Sequence, residues 1–195
     1  SFYSFKGGTG RSTALANVAH ALAEEGATVG CMDLDLAAPG LHMIFDVGIP
    51  HAHAATVHDH LQGHESDIND YIIDVGETMD PTPKGDLFLI AGKVETPGDD
   101  NPYQMMQDAL ELRQAFRDSK DLDYLLLDSR SGLSNHMFPV FDKADYFLTF
   151  HKWTYQHKRG TEELADWVDE RTSLNGVMSV ASNIPEDVPE EKIES

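Results

Sequence analysis

Cysteine is almost missing from this chain: Cys31 is the only one in 195 residues. A lone thiol cannot close an internal disulfide, and an iron–sulfur cluster needs several such ligands. Cys31 lies in a predicted buried strand, so an inert core thiol is expected. Basic residues are also scarce. Fourteen Lys and Arg stand against 34 Asp and Glu, for a formal net charge of −20. Nonspecific DNA binding needs a basic face, and none is visible. Anionic membrane surfaces are disfavoured for the same reason. No apolar run approaches the roughly 20 residues of a membrane span. The N-terminus runs straight into a predicted strand and leaves no room for a signal peptide. The missing initial Met is compatible with a trimmed leader. The expected compartment is the cytoplasm.

What the chain has in quantity is acid, spread along its whole length rather than gathered in a tail. Such a surface suits a protein from a salt-loving organism, where dense carboxylates keep the fold in solution. The plainer reading is an acidic cytosolic protein. Apolar residues make up 41% of the chain, enough for the core of a single domain over residues 1–195. Strand and helix patterns alternate, so the fold class is α/β: a three-layer, mostly parallel sheet with helices on both faces.

The predicted strands are Phe2–Phe5, Thr28–Leu34, Leu87–Ala91, Tyr124–Asp128, Tyr146–Phe150 and Val177–Ala181. The predicted helices are Ser12–Glu25, Thr56–Gln62, Pro102–Ser119, a short Ser134–Phe141, and Thr161–Thr172 with Trp167 facing the core. The first helix is expected to bury Leu15, Val18, Ala19 and Leu22. Tyr71–Val75 fits either class. Thr96–Asn101 and the acidic tail Pro185–Ser195 read as loops.

The most informative stretch is Phe2-Tyr3-Ser4-Phe5-Lys6-Gly7-Gly8-Thr9-Gly10-Arg11-Ser12-Thr13. A β-type run stops at a lysine and a glycine cluster, and a helical pattern follows. Glycines let the backbone curl so that several N–H groups point inward. The helix N-terminus adds partial positive charge at the same place. Ser12 or Thr13 can offer a hydroxyl to a phosphate-held Mg²⁺. Ligands on such sheets sit beyond the carboxyl ends of the strands. Two strand ends there carry acid: Asp33-Leu34-Asp35, and Asp128 after four apolar residues. Paired carboxylates suit a Mg²⁺–water–phosphate site; Asp33 and Asp35 also suit a turn-capping role.

The segment resembles the deviant Walker A motif of the ParA/MinD family of P-loop ATPases, K-G-G-x-G-K-S/T. It also resembles the subgroup named for a K-G-G-V-G-R variant, with Thr9 in place of the Val. Arg11 replaces the second lysine, and that exchange is not conservative. The resemblance covers Phe2 to about Pro185 and implies a P-loop NTPase fold, with a C-terminus that continues further in similar domains. It implies ATP and Mg²⁺ as cofactors. Lys6, Gly7, Gly8, Thr9, Gly10, Arg11, Ser12 and Thr13 would bind the nucleotide, with Gly132 near the γ-phosphate. Asn183 would read the adenine edge, though a turn explains it almost as well. Ser12, Asp33 and Asp128 would hold the metal. Lys6, Arg11 and Asp35 would serve hydrolysis, with Lys6 reaching across a nucleotide-dependent homodimer. Arg130, in Asp128-Ser129-Arg130-Ser131-Gly132, would touch the γ-phosphate or a partner subunit, or else cap a turn.

The function implied is a slow ATPase switch that controls an unidentified protein partner. A hydrolysis-poor, nucleotide-gated scaffold is the alternative, because Arg11 puts turnover in doubt. A kinase or metabolic enzyme on the same fold is disfavoured by the scattered tyrosines and the single cysteine. His42, His51, His53, His58, His60 and His64 crowd one region. A solvated His-rich switch loop is the expected reading, with a zinc tract as its rival. His151, Tyr155 and His157 are candidates for a partner or substrate surface, and Trp153 for an interface.

Overall fold

The computed structural model describes residues 1–48, 54–64, 66–93, 102–129, 131–132, 138–141, 143–152, 154, 175–182 and 184. The predicted helix at 161–172 with Trp167, the loop at 96–101 and the tail at 185–195 lie outside these residues. So do His51, His53, Arg130, Trp153, Tyr155, His157 and Asn183.

Seven strands among the described residues form one sheet: β1 (Phe2–Ser4), β2 (Val29–Leu34), β3 (Ile72–Asp74), β4 (Leu87–Ile90), β5 (Tyr124–Ser129), β6 (Tyr146–Lys152) and β7 (Gly176–Ser182). Their spatial order is β3-β4-β2-β5-β1-β6-β7. Every pairing is parallel except that of β3 with β4. The helices are α1 (Arg11–Glu24), α2 (Leu41–Ile44), α3 (Val57–Leu61), α4 (Ile68–Tyr71), α5 (Pro102–Lys120) and α6 (Phe138–Phe141). The expected α/β architecture is therefore present. No helix among the described residues is long and apolar enough to cross a membrane.

Strand alternation divides the core between the two faces of the sheet. Phe2, Val29, Cys31, Leu87, Leu89 and Phe150 pack on one face with Leu15, Ala16, Ala19 and Ala23 of α1. Tyr3, Met32, Leu34, Ile90, Leu127 and Phe147 pack on the other with Ala109, Leu112 and Phe116 of α5. The buried stripe of α1 departs from expectation. Val18 is 39% exposed, and the small side chains of Ala16 and Ala23 lie inward instead. Alanines let a helix approach a sheet closely, an advantage that hydropathy does not register.

Tyr71–Val75 also resolves. Tyr71 closes α4, and Ile72–Asp74 becomes an antiparallel edge strand on β4. α3 starts where expected, because Thr56 and Asp59 form a reciprocal capping box. α2 was not expected. Its two-fold cause is local: Asp33 anchors its first turn, and Leu41 is buried against the core.

Cys31 is fully buried at the centre of β2, as its sequence context predicts. Burial, and then the Asp128 and Asp33 carboxylates, push its thiol far up. A maleimide should therefore leave Cys31 unmodified in the native protein and label it after urea unfolding. Mass spectrometry reads the difference; fast labelling of the folded chain would contradict this packing.

Candidate functional site

The glycine cluster connects β1 to α1 at the centre of the sheet. Gly8 (φ 72°) and Gly10 (φ 79°) both take left-handed backbone conformations that favour glycine. Gly10 is the N-cap of α1 and provides no side-chain cap, so the first turn keeps its N–H groups for a ligand. No acidic side chain lies in that turn to compete with an anion. The loop after β5 rests against it: the Gly132 N–H donates to the Ser4 carbonyl at 3.1 Å. Ser131 Oγ lies 3.9 Å from where a Cβ on Gly7 would be. Lys6 is exposed at the entrance, whereas Thr9 is buried with an unpartnered hydroxyl.

Register brings the acids to the same end. Asp33 of β2 pairs directly with Asp128 of β5. Both are fully buried. Asp33 accepts three backbone N–H bonds, from Asp35 (3.1 Å), Gly40 (2.9 Å) and Leu41 (3.1 Å). It thus ties the end of β2 to the start of α2. Burial, helped by the Asp128 charge, pushes its carboxyl up to about 7 against the pull of those three N–H groups. Burial also raises Asp128, and Arg11 and the Ser12 hydroxyl draw it part of the way back.

Arg11 holds the cluster together. It is only 7% exposed. Its Nε donates to Asp128 Oδ1 at 2.6 Å, and its Nη2 to Asp35 Oδ2 at 3.1 Å. The same Nη2 lies 3.4 Å from Ser12 Oγ. The guanidinium is therefore turned into the carboxylates rather than out over the glycine loop. Its planar fork reaches two acids at once, as a lysine ammonium would not with the same geometry.

Ser12 Oγ and the Asp128 carboxylate are hard oxygen donors of the kind Mg²⁺ takes. Asp128 Oδ2 is buried and has no hydrogen-bond partner among the described residues. The residues fit a hydrated Mg²⁺ on these grounds. The obstacle is Arg11, which already neutralises Asp128. Among the described residues, no three His, Cys, Asp or Glu side chains converge to hold a metal unaided. A metal here would need phosphate oxygens as well.

Among the described residues, His42 lies on α2, His58 and His60 on α3, and His64 follows α3. His60 of α3 packs edge-on against Tyr71, and His64 lies 3.9 Å from Asp59. His42 is buried on α2, and desolvation lowers its pKa.

One residue of the site was not foreseen. Lys152 ends β6, two residues beyond Phe150, which pairs with Ser4 at the end of β1. Its Nζ lies 3.4 Å from where a Cβ on Gly8 would be. The available clue was a lysine following an apolar strand at the ligand-bearing end of the sheet. The expected strand stopped at Phe150 because the apolar run stops there.

Residues 1–67 match the family profile described as ParA, "NUBPL iron-transfer P-loop NTPase". No curated protein matches the chain. Among solved structures, it is similar to the cell division ATPase MinD of Pyrococcus furiosus, with 24% identity and a TM-score of 0.72 over 99% of this chain and 76% of that one. The septum site-determining protein MinD of Pyrococcus horikoshii OT3, complexed with Mg-ADP, has 20% identity and a TM-score of 0.71, over 98% and 74%. The MinC:MinD complex of Aquifex aeolicus has 20% identity and a TM-score of 0.70, over 94% and 67%. The expected likeness to ParA/MinD-like P-loop ATPases is borne out, and the fold is theirs.

Proposed function

We propose that this ParA/MinD-like P-loop protein is a cytoplasmic, ATP- and Mg²⁺-binding switch that turns over slowly and controls a protein partner through a nucleotide-dependent homodimer. The observation that carries this reading is the uncapped α1 N-terminus beside the Asp33–Asp128 pair. Backbone N–H groups from Gly7 to Thr13 would hold the phosphates, and Asn183 the adenine edge. Bound Mg²⁺ would neutralise phosphate charge, held by Ser12 and Asp128, with Asp33 fixing the neighbouring loop. Lys6, exposed at the entrance, would reach the other subunit's phosphates. Asp35 would orient water once Arg11 releases it. Gly132, bonded to Ser4, would sense the γ-phosphate through the loop after β5. The Mg-ADP complex of one MinD and the MinC complex of another lend support by analogy.

A second reading keeps nucleotide binding and drops turnover, leaving a gated scaffold. The Arg11 clamp favours it, because the guanidinium serves buried carboxylates rather than developing phosphate charge. Calorimetry and a turnover assay, each at low and multimolar KCl, separate the two. The switch predicts ATP heat, ATP-dependent dimers and turnover well below the ~1–10³ s⁻¹ usual for enzymes, abolished in Asp35→Ala. Binding with no turnover selects the scaffold. Absence of any ATP heat ends both.

A further inference from the structure

We propose that Lys152 is the side-chain cation that grips the nucleotide's phosphates, in place of Arg11; this rests on the nucleotide reading above. At the motif position where the resemblance expects a phosphate lysine, Arg11 is turned inward and tied to Asp128 and Asp35. Arg11 brings one positive charge to two carboxylates, and Asp33 stands beside them. That cluster alone is net negative and would repel a polyphosphate. Lys6, the motif's other cation, is assigned above to the other subunit's phosphates, so the loop draws positive charge for its own nucleotide from outside the motif.

Lys152 supplies it from another strand. β6 runs parallel to β1 and continues past it, so its last residue comes alongside the loop that β1 feeds. Pairing with Ser182 of β7 holds the backbone of Lys152 in the sheet. Its Nζ comes to rest over Gly8, where a Cβ would lie only 3.4 Å away. Glycine there keeps the seat open for the ammonium and for an anion beside it. Lys152 is half-buried, so its charge is less screened than one in open water. The chain has only 14 basic residues, and the placement of one over the phosphate loop is specific. A lysine suits this position because its ammonium is a compact point charge with three rotatable donors, able to follow phosphate oxygens from a fixed strand.

The test is calorimetric titration of ATP–Mg²⁺ into the full chain and into Lys152→Met, with Lys152→Arg as the conservative variant. Loss of one charge-assisted contact predicts a Kd raised about 10- to 100-fold in Lys152→Met. Lys152→Arg should recover most of that loss. The urea midpoints of both variants without nucleotide tell a loss of folding apart from a loss of phosphate contact. Reductive methylation gives a readout on the unaltered protein. ATP should shield Lys152 and leave exposed Lys143 reactive. Unchanged affinity in Lys152→Met, or methylation of Lys152 indifferent to ATP, overturns the assignment and leaves nucleotide binding standing. No ATP heat from the parent chain overturns both.

Discussion

Arg11→Ala is expected to destabilise the nucleotide-free protein by about 3–5 kcal/mol, the usual cost of removing one partner from a buried ion pair. Total stabilities are only ~5–15 kcal/mol, so this variant should sit near the edge of folding. The reason is Asp128. It is fully buried at the centre of the sheet, its Oδ1 bonds Arg11 at 2.6 Å, and its Oδ2 has no hydrogen-bond partner among the described residues. Without the guanidinium, the carboxylate faces Asp33 and Asp35 with no counter-charge. An exposed pair would cost at most ~1 kcal/mol, so the size of the loss discriminates.

Two further measurements tie that loss to the carboxylate. Asp128→Asn in the Arg11→Ala background should recover part of it, because the orphaned charge is gone. The loss should also shrink on acidification. Arg11 lowers the Asp128 pKa, so its removal lets the folded variant protonate Asp128 at higher pH than the parent does. Proton uptake by the folded state then stabilises the variant relative to the parent as pH falls. Urea unfolding across pH reads both effects. A loss under about 1 kcal/mol at neutral pH would mean the guanidinium is not serving Asp128.

What could be read from the sequence was what is encoded locally. An apolar run ending in Asp gave β5 and Asp128 their places, and glycines between a strand and a helix marked the phosphate loop. The Arg11 clamp was not legible. It joins Arg11 to residues 117 and 24 positions away, and their meeting depends on the register of β5 between β2 and β1. Arg11 read as a changed phosphate contact because sequence shows a side chain's type and not its direction. Lys152 was hidden for a related reason. Its strand extends beyond the apolar run through pairing of His151 and Lys152 with Ala181 and Ser182, a tertiary effect on a polar segment. α2 escaped notice because Asp33, read as a metal residue, also anchors the helix start with its carboxylate. One aspartate can serve both roles, and only the folded chain displays the second.

Gly85→Ala should be the other severe substitution, although Gly85 lies far from any motif. Its N–H donates to the Ala23 carbonyl at the end of α1, at 2.9 Å. The next residue's carbonyl, that of Asp86, accepts from Val29 N–H at 2.8 Å as β2 begins. A Cβ on Gly85 would lie 2.2 Å from the Ala27 carbonyl oxygen and 2.6 Å from the Gly26 carbonyl carbon. These are backbone atoms, so no rotamer change relieves the overlap. The turn leaving α1 and the segment entering β4 must separate, which strains or breaks both hydrogen bonds. Overpacking usually costs ~1–3 kcal/mol, and loss of a bond whose groups stay buried adds about 1 kcal/mol or more. Gly30→Ala offers the comparison. Its Cβ would meet Leu122 Cδ1 at 2.4 Å and Phe116 Cε1 at 2.9 Å, both side-chain atoms that can give way. Gly85→Ala should therefore lower the urea midpoint more than Gly30→Ala. Hydrogen exchange should also quicken at Gly85 and Val29, whose N–H groups cross the junction. A Gly85→Ala protein with the parent's midpoint would mean that the end of α1 and the entry to β4 do not touch as closely as described.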